Sequence, residues 1–149
     1  MRQTIAALAV LLATTALAQN APAPQDPTPC AIVVDARGLT PTLAASEAPA
    51  LATADGKLIW PNPELLKGLS SKTLGESGLA RYFSDPARLD AALARDALKP
   101  ERVLRLKAVA AARNPLYPAS PILAAVTLSK DDAEKVTALG KNCQAVFLK

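Results

Sequence analysis

The side chains able to do chemistry in this chain are carboxylates, a few aromatics and two cysteines, because no histidine occurs among its 149 residues. That gap removes Ser-His-Asp and Cys-His catalysis and the commonest zinc ligand. The carboxylates that remain for acid–base work or calcium binding are Asp35, Glu47, Glu64, Glu76, Asp131 and Asp132. Asp131-Asp132 reads as a helix start, where acidic side chains meet the positive end of the helix dipole. Asp35 closes an apolar run, and the carboxyl ends of strands often border clefts. Arg37 lies two residues on and therefore on the same face, so an Asp35–Arg37 ion pair is the expected arrangement. Ser71-Lys72 and Ser129-Lys130 do not reproduce the S-x-x-K spacing. Gly75 and Gly78 lack the preceding strand and the G-K-[ST] ending of a phosphate loop. No catalytic residue, metal or cofactor is expected.

Trp60, Tyr82, Phe83 and Tyr117 are the large aromatics outside the C-terminal run. With so few in the chain, most should anchor the core. Tyr117, between prolines, is expected to be partly exposed. Together with Asp35, Arg37 and Trp60 it makes the short set of candidate binding residues.

The cysteines take their meaning from the N-terminus. Arg2 precedes an uncharged run, Thr4 to Leu17, that ends in Ala16-Leu17-Ala18. A charged start, an apolar middle and an A-x-A ending make a cleavable secretory signal over residues 1–18. As a helix the run reaches about 21 Å at about 1.5 Å per residue, short of the roughly 30 Å hydrocarbon core. No transmembrane segment is expected after cleavage. Cys30 lies too far beyond the cut to serve as a lipoprotein cysteine. Outside the reducing cytosol, an even cysteine count argues for a disulfide between Cys30 and Cys143. Each directly precedes an apolar strand-like run, so parallel neighbouring strands would bring both cysteines to the same end. Closing so long a loop is worth about 4.7 kcal/mol in the chain-entropy model.

The elements that must position these residues follow from periodicity. Residues 19–29 hold four prolines and no apolar residue larger than alanine, which predicts an extended leader. One domain should then occupy residues 30–149. Ala31 to Ala36 is a continuous apolar run suited to a strand covered on both faces. Asp55-Gly56 predicts a two-residue type I′ hairpin with Leu51 opposite Trp60 and Ala52 opposite Ile59. Residues 64–69 are read as one or two helical turns, 70–78 as loop, and 79–83 as a short helix. Ser84 or Asp85 should cap a helix with Pro86 in its first turn and Leu89 and Leu93 on one side. Residues 101–112 alternate as one strand with a wet face, with an alanine-rich helix over 103–112 as the alternative, and 122–128 form another strand. Ser129 should cap a helix ended by Gly140, followed by the last strand. These elements predict an α+β fold: a single domain with a mixed β-sheet and two main helices packed on one face.

Formal charge is +4, falling to +3 if Arg2 is removed with the signal. The charges are interspersed and no basic run with interleaved aromatics occurs, so nucleic acid is not an expected partner.

Ile32-Val33-Val34-Asp35-Ala36-Arg37-Gly38-Leu39, followed by Asp55-Gly56-Lys57-Leu58-Ile59-Trp60, resembles an uncharacterised module of exported bacterial proteins. Its pattern reads VVDARGL, then DG-x-x-x-Y/W, then S-x-E-D-A-x-K, the last similar to Ser129-Lys130-Asp131-Asp132-Ala133-Glu134-Lys135. Such modules sometimes occur near flagellar-assembly or lipoprotein-like domains. The chain departs from the pattern at residues 61–77 and 114–121. The resemblance implies an envelope role and names no catalytic residue. The expected function is therefore a periplasmic or secreted module that binds an envelope protein or glycan. The alternatives are a small carboxylate-dependent hydrolase acting through Asp35, or a carrier of a small apolar ligand.

Overall fold

The computed structural model describes residues 30–62, 79–139 and 143–149. The predicted signal, the leader, the segment 64–78 and the Gly140 helix stop lie outside these residues. Within them the chain forms one α+β domain of two four-stranded sheets and two α-helices.

The first sheet is all parallel, in the order β4-β8-β1-β5. Its strands are β1 (Ala31–Asp35), β4 (Ala80–Phe83), β5 (Val103–Lys107) and β8 (Gln144–Leu148). The strands β1 and β8 at its centre are nearly continuous apolar runs because both of their faces are covered. Alternation sends Ile32, Val34, Ala145 and Phe147 toward one core and Ala31, Val33, Val146 and Leu148 toward another. The second core is completed by Leu89 and Leu93 of helix α1 (Pro86–Arg95). The β-branched runs thus specify strands, and the burial of both faces specifies where they sit.

The second sheet has the order β3-β2-β7-β6, from β2 (Ala50–Thr53), β3 (Leu58–Trp60), β6 (Ala110–Ala112) and β7 (Ala125–Leu128). β2 and β7 are parallel, and the two outer pairs are antiparallel. Leu51, Trp60, Val126 and Leu128 pack against the first sheet's Ile32, Val34 and Phe147 to form the main core. The chain steps between sheets after β5, where the Ala108 N–H donates to Asp35 (2.9 Å) and the Val109 N–H to Thr127 (2.9 Å).

Helix α1 starts as its sequence requires: Asp85 accepts a hydrogen bond from the Ala87 N–H at 2.9 Å, and Pro86 occupies the first turn. Ser129 caps helix α2 (Lys130–Leu139) through its Oγ, which accepts from the Asp132 N–H at 3.2 Å. α2 buries Ala133 and Val136 and packs against β2, β3 and β5.

Four expectations are corrected. The expected mixed sheet is present as β3-β2-β7-β6, but a second, all-parallel sheet of β4, β8, β1 and β5 accompanies it. The two helices do not share one face: α1 covers the outer side of the parallel sheet and α2 lies against strands of both sheets. Residues 80–83 are a strand, paired with β8 and stacked through Tyr82 on Phe147; a segment this short takes its state from its tertiary neighbours. The run 101–112 is divided into a 3₁₀ turn (Pro100–Arg102), β5 and β6, the last two in different sheets.

The hairpin is corrected in detail. Gly56 has φ +89° and Asp55 has no positive φ, so the turn is not type I′. Instead the Gly56 N–H donates to Thr53 and the Thr53 N–H to Lys57, both at 2.9 Å. This is the three-residue loop in which a left-handed glycine closes a type I turn as a bulge. The extra residue in the turn sets Ala52 opposite Leu58 in place of Ile59, and a register shift between Ala52 and Leu51 restores Leu51 opposite Trp60.

Candidate functional site

One end of the parallel sheet is closed covalently. Cys30 and Cys143 form a disulfide with 4.7 Å between their Cα atoms, across 113 residues of chain. The register β1·β8, with Ala31 opposite Gln144, makes the two cysteines neighbours just before the first ladder pair. The Gln144 N–H donates to the Cys30 carbonyl at 3.1 Å. Cys143 is buried, and its carbonyl accepts the Trp60 indole N–H at 2.8 Å. Trp60 is 1% exposed and belongs to the main core. The structure therefore places Trp60 beside the disulfide, away from any surface ligand.

The opposite end of the same sheet holds Asp35 and Arg37. Arg37 donates from Nε to Asp35 Oδ1 (3.0 Å), from Nη2 to Oδ2 (2.8 Å) and from its backbone N–H to Oδ1 (3.1 Å). These hydrogen bonds, the side-chain ones foremost, hold the Asp35 carboxyl below the usual carboxylate range, against a smaller opposing effect of burial. A carboxylate kept ionised and occupied on both oxygens is a poor proton donor. The pair is exposed, so its worth to stability is small.

Sequence reasoning missed the fastening of the loop that follows this pair. The Tyr82 hydroxyl donates to the Ser46 carbonyl and accepts from the Ser46 N–H, both at 3.0 Å. The Tyr82 ring stacks on Phe147, with centroids 5.3 Å apart. Lys149 reaches over the same ring at 5.9 Å and donates to the Leu43 carbonyl at 3.0 Å. Burial raises the Tyr82 phenol above its ordinary pKa, offset in part by its bond to Ser46. Asn114 does the same for the Pro-rich connection between β6 and β7. It is 2% exposed, donates from Nδ2 to the Ala48 carbonyl (2.7 Å) and accepts from the Leu116 N–H (2.9 Å). A buried asparagine in a polar, proline-rich stretch is the signal that marks such an anchor.

That connection carries Tyr117, 51% exposed as expected, and Ile122, 54% exposed. No hydrogen bond, ion pair or ring contact joins Tyr117 to Asp35, Arg37 or Trp60 among the described residues. Trp60, buried at the disulfide end of the parallel sheet, is not brought together with the exposed Asp35–Arg37 pair at the other end. A partly open cleft of about 410 Å³ lies between the C-terminal part of α1 and β5, lined by Leu93, Ala94, Leu98, Pro100, Val103 and Arg105. Arg105 is held there by Asp90 at 2.9 Å. Among the described residues no cluster of acidic or cysteine side chains is arranged to hold a metal ion, and no helix is long and apolar enough to cross a membrane. Comparison with protein-family models, with curated proteins and with solved structures finds no match to this chain.

Proposed function

We propose that this protein is an exported binding or structural module of the bacterial cell envelope, working in the periplasm or after secretion. The observation that supports this reading is the disulfide joining the first and last strands of the parallel sheet. Such bonds persist in oxidising compartments, and the N-terminal charged, apolar and A-x-A segments supply the matching export signal. Its partner is an envelope protein or glycan, met by surface loops that Tyr82 and Asn114 hold in place.

The test has two arms. Fractionation of cells producing the tagged protein should place it, oxidised and shortened at its N-terminus, outside the cytoplasmic membrane. Affinity capture from envelope fractions should then enrich a protein or glycan. Retention of a full-length, reduced protein in the cytosol, or capture of nothing above background, overturns the reading.

A further inference from the structure

The cleft beside β5 is the uncovered rim of the second core. Leu89 and Leu93 of α1 cover the β1 and β8 side chains Ala31, Val33, Val146 and Leu148. Farther out, Val103 of β5 and Leu98 after the helix stand half-buried at the margin of that core. The cleft of about 410 Å³ opens between them, and among the described residues its lining is apolar except for Arg105. Val103 and Arg105 reach it together because residues two apart share a face of a strand.

Where the chain enters the fold says what can fill this cleft. In the parallel ladder Ala31 lies opposite Val103. The chain therefore enters β1, through Cys30, roughly 4.8 Å (one strand spacing) from the start of β5. The disulfide to Cys143 pins that entry point. Residues 19–29 are joined there, and eleven extended residues reach about 34 Å at about 3.1 Å each, far more than one strand width.

The composition of this leader matches the cleft. Pro22, Pro24, Pro27 and Pro29 lack backbone N–H groups. The segment therefore cannot extend the ladder along the side of β5 away from β1, which pairs with no strand among the described residues. It can lay side chains into a groove, at low entropic cost because proline is already restricted. With three residues per turn, Ala21, Pro24 and Pro27 fall on one side of such a segment and make a small apolar ridge. Asp26 is the one charged side chain of the leader, opposite in sign to Arg105. Arg105 gives Nη2 to Asp90 in an exposed pair, and a guanidinium with five N–H donors can meet a second carboxylate.

We propose that the chain's own leader docks in the cleft between α1 and β5, with Pro24 and Pro27 against Leu98 and Val103 and Asp26 against Arg105. The leader then completes the cover of the second core. This inference stands apart from the binding-module reading: that reading fails in fractionation or capture, and this one in the contacts of the leader.

The test uses isotope-labelled, oxidised protein beginning at Gln19, the start expected after signal cleavage, observed by NMR. Nuclear Overhauser contacts should join the Pro24 and Pro27 ring protons to the Leu98 and Val103 methyl groups. The Ala23 and Gln25 amides should have order parameters above about 0.6, the upper bound for flexible backbone. Asp26→Arg should weaken the contacts and lower those order parameters, Arg105→Glu should do the same, and the two together should restore both. Pro24→Gly with Pro27→Gly should abolish the contacts, and neither leader variant alters a residue of the described fold. A capped peptide of residues 21–28 should shift the Leu98 and Val103 methyls of the Asp26→Arg protein more than those of the wild type. The proposal falls if no leader contact reaches Leu98 or Val103, if Ala23 and Gln25 stay below that order, or if the charge exchange restores nothing. Contacts that appear only as protein concentration rises would make a second copy the occupant. A fatty acid that shifts the cleft methyls and leaves the leader signals unmoved would make a small apolar ligand the occupant. Either result overturns the proposal.

Discussion

The indole N–H of Trp60 donates to the carbonyl of Cys143 across a buried 2.8 Å contact between residues 83 apart in sequence. One partner ends the hairpin of the second sheet, and the other is half of the disulfide that closes the first. The bond therefore ties the two sheets together inside the buried core. Trp60→Phe should leave the Cys143 carbonyl without its donor and part of the ring's volume empty. A loss of about 2–4 kcal/mol is expected in urea unfolding. A loss below about 0.5 kcal/mol would mean that this contact does not hold the sheets together.

The disulfide should dominate stability. Replacing both Cys30 and Cys143 with alanine should cost about 2–5 kcal/mol. Alkylation of the untreated protein in denaturant should label no thiol, because both cysteines are joined. Two labelled thiols would contradict the pairing.

Arg37→Gln should return the Asp35 carboxyl toward the ordinary aspartate value, since Arg37 supplies the largest influence lowering it. A depressed acid contributes stability above its unfolded pKa and loses it as pH falls through its folded pKa. The wild-type contribution from this pair should therefore fade only under strongly acidic conditions. Carboxyl NMR titration of Asp35 in both proteins reads the shift directly. The stability change itself should be small, because the pair is exposed.

Tyr82 behaves with the opposite sign. Its phenol is raised by burial, so its stabilising contribution is present below the ordinary tyrosine pKa of about 10 and lost as pH climbs through the raised one. Unfolding measured from pH 9 to 11 should show an alkaline loss that Tyr82→Phe reduces. At neutral pH the same substitution should cost about 1–3 kcal/mol, because both Ser46 backbone groups lose a partner.

Asn114→Ala removes the donor to Ala48 and the acceptor for Leu116. A loss of about 1–3 kcal/mol is expected, with faster amide exchange concentrated in residues 113–124. Uniformly faster exchange over the whole domain would show instead that Asn114 supports the core and not the connection alone.

Much of this architecture is legible locally. The β1 and β8 runs announce strands because continuous β-branched and apolar residues suit a strand buried on both faces. Asp85-Pro86 and Ser129 announce helix starts because their side chains satisfy backbone donors that no helical carbonyl can reach. The cysteine pairing follows from the even count and from matching positions before two apolar runs. The candidate site was less legible. Asp35 and Arg37 pair as their spacing predicts, but Trp60 is a core residue and Tyr117 stands exposed on the Pro-rich connection.

The amino-acid sequence by itself determined the α+β class, both helix caps, the strand character of β1 and β8, and the Asp35–Arg37 pair. Each depends on neighbours within a few residues or on a repeating side-chain period. Only the tertiary structure decided that there are two sheets, that residues 80–83 are a strand, and that the 101–112 run crosses between sheets. Those outcomes depend on which strand lies beside which. Strand pairing is set by burial and backbone hydrogen bonds between distant segments, which no local pattern encodes.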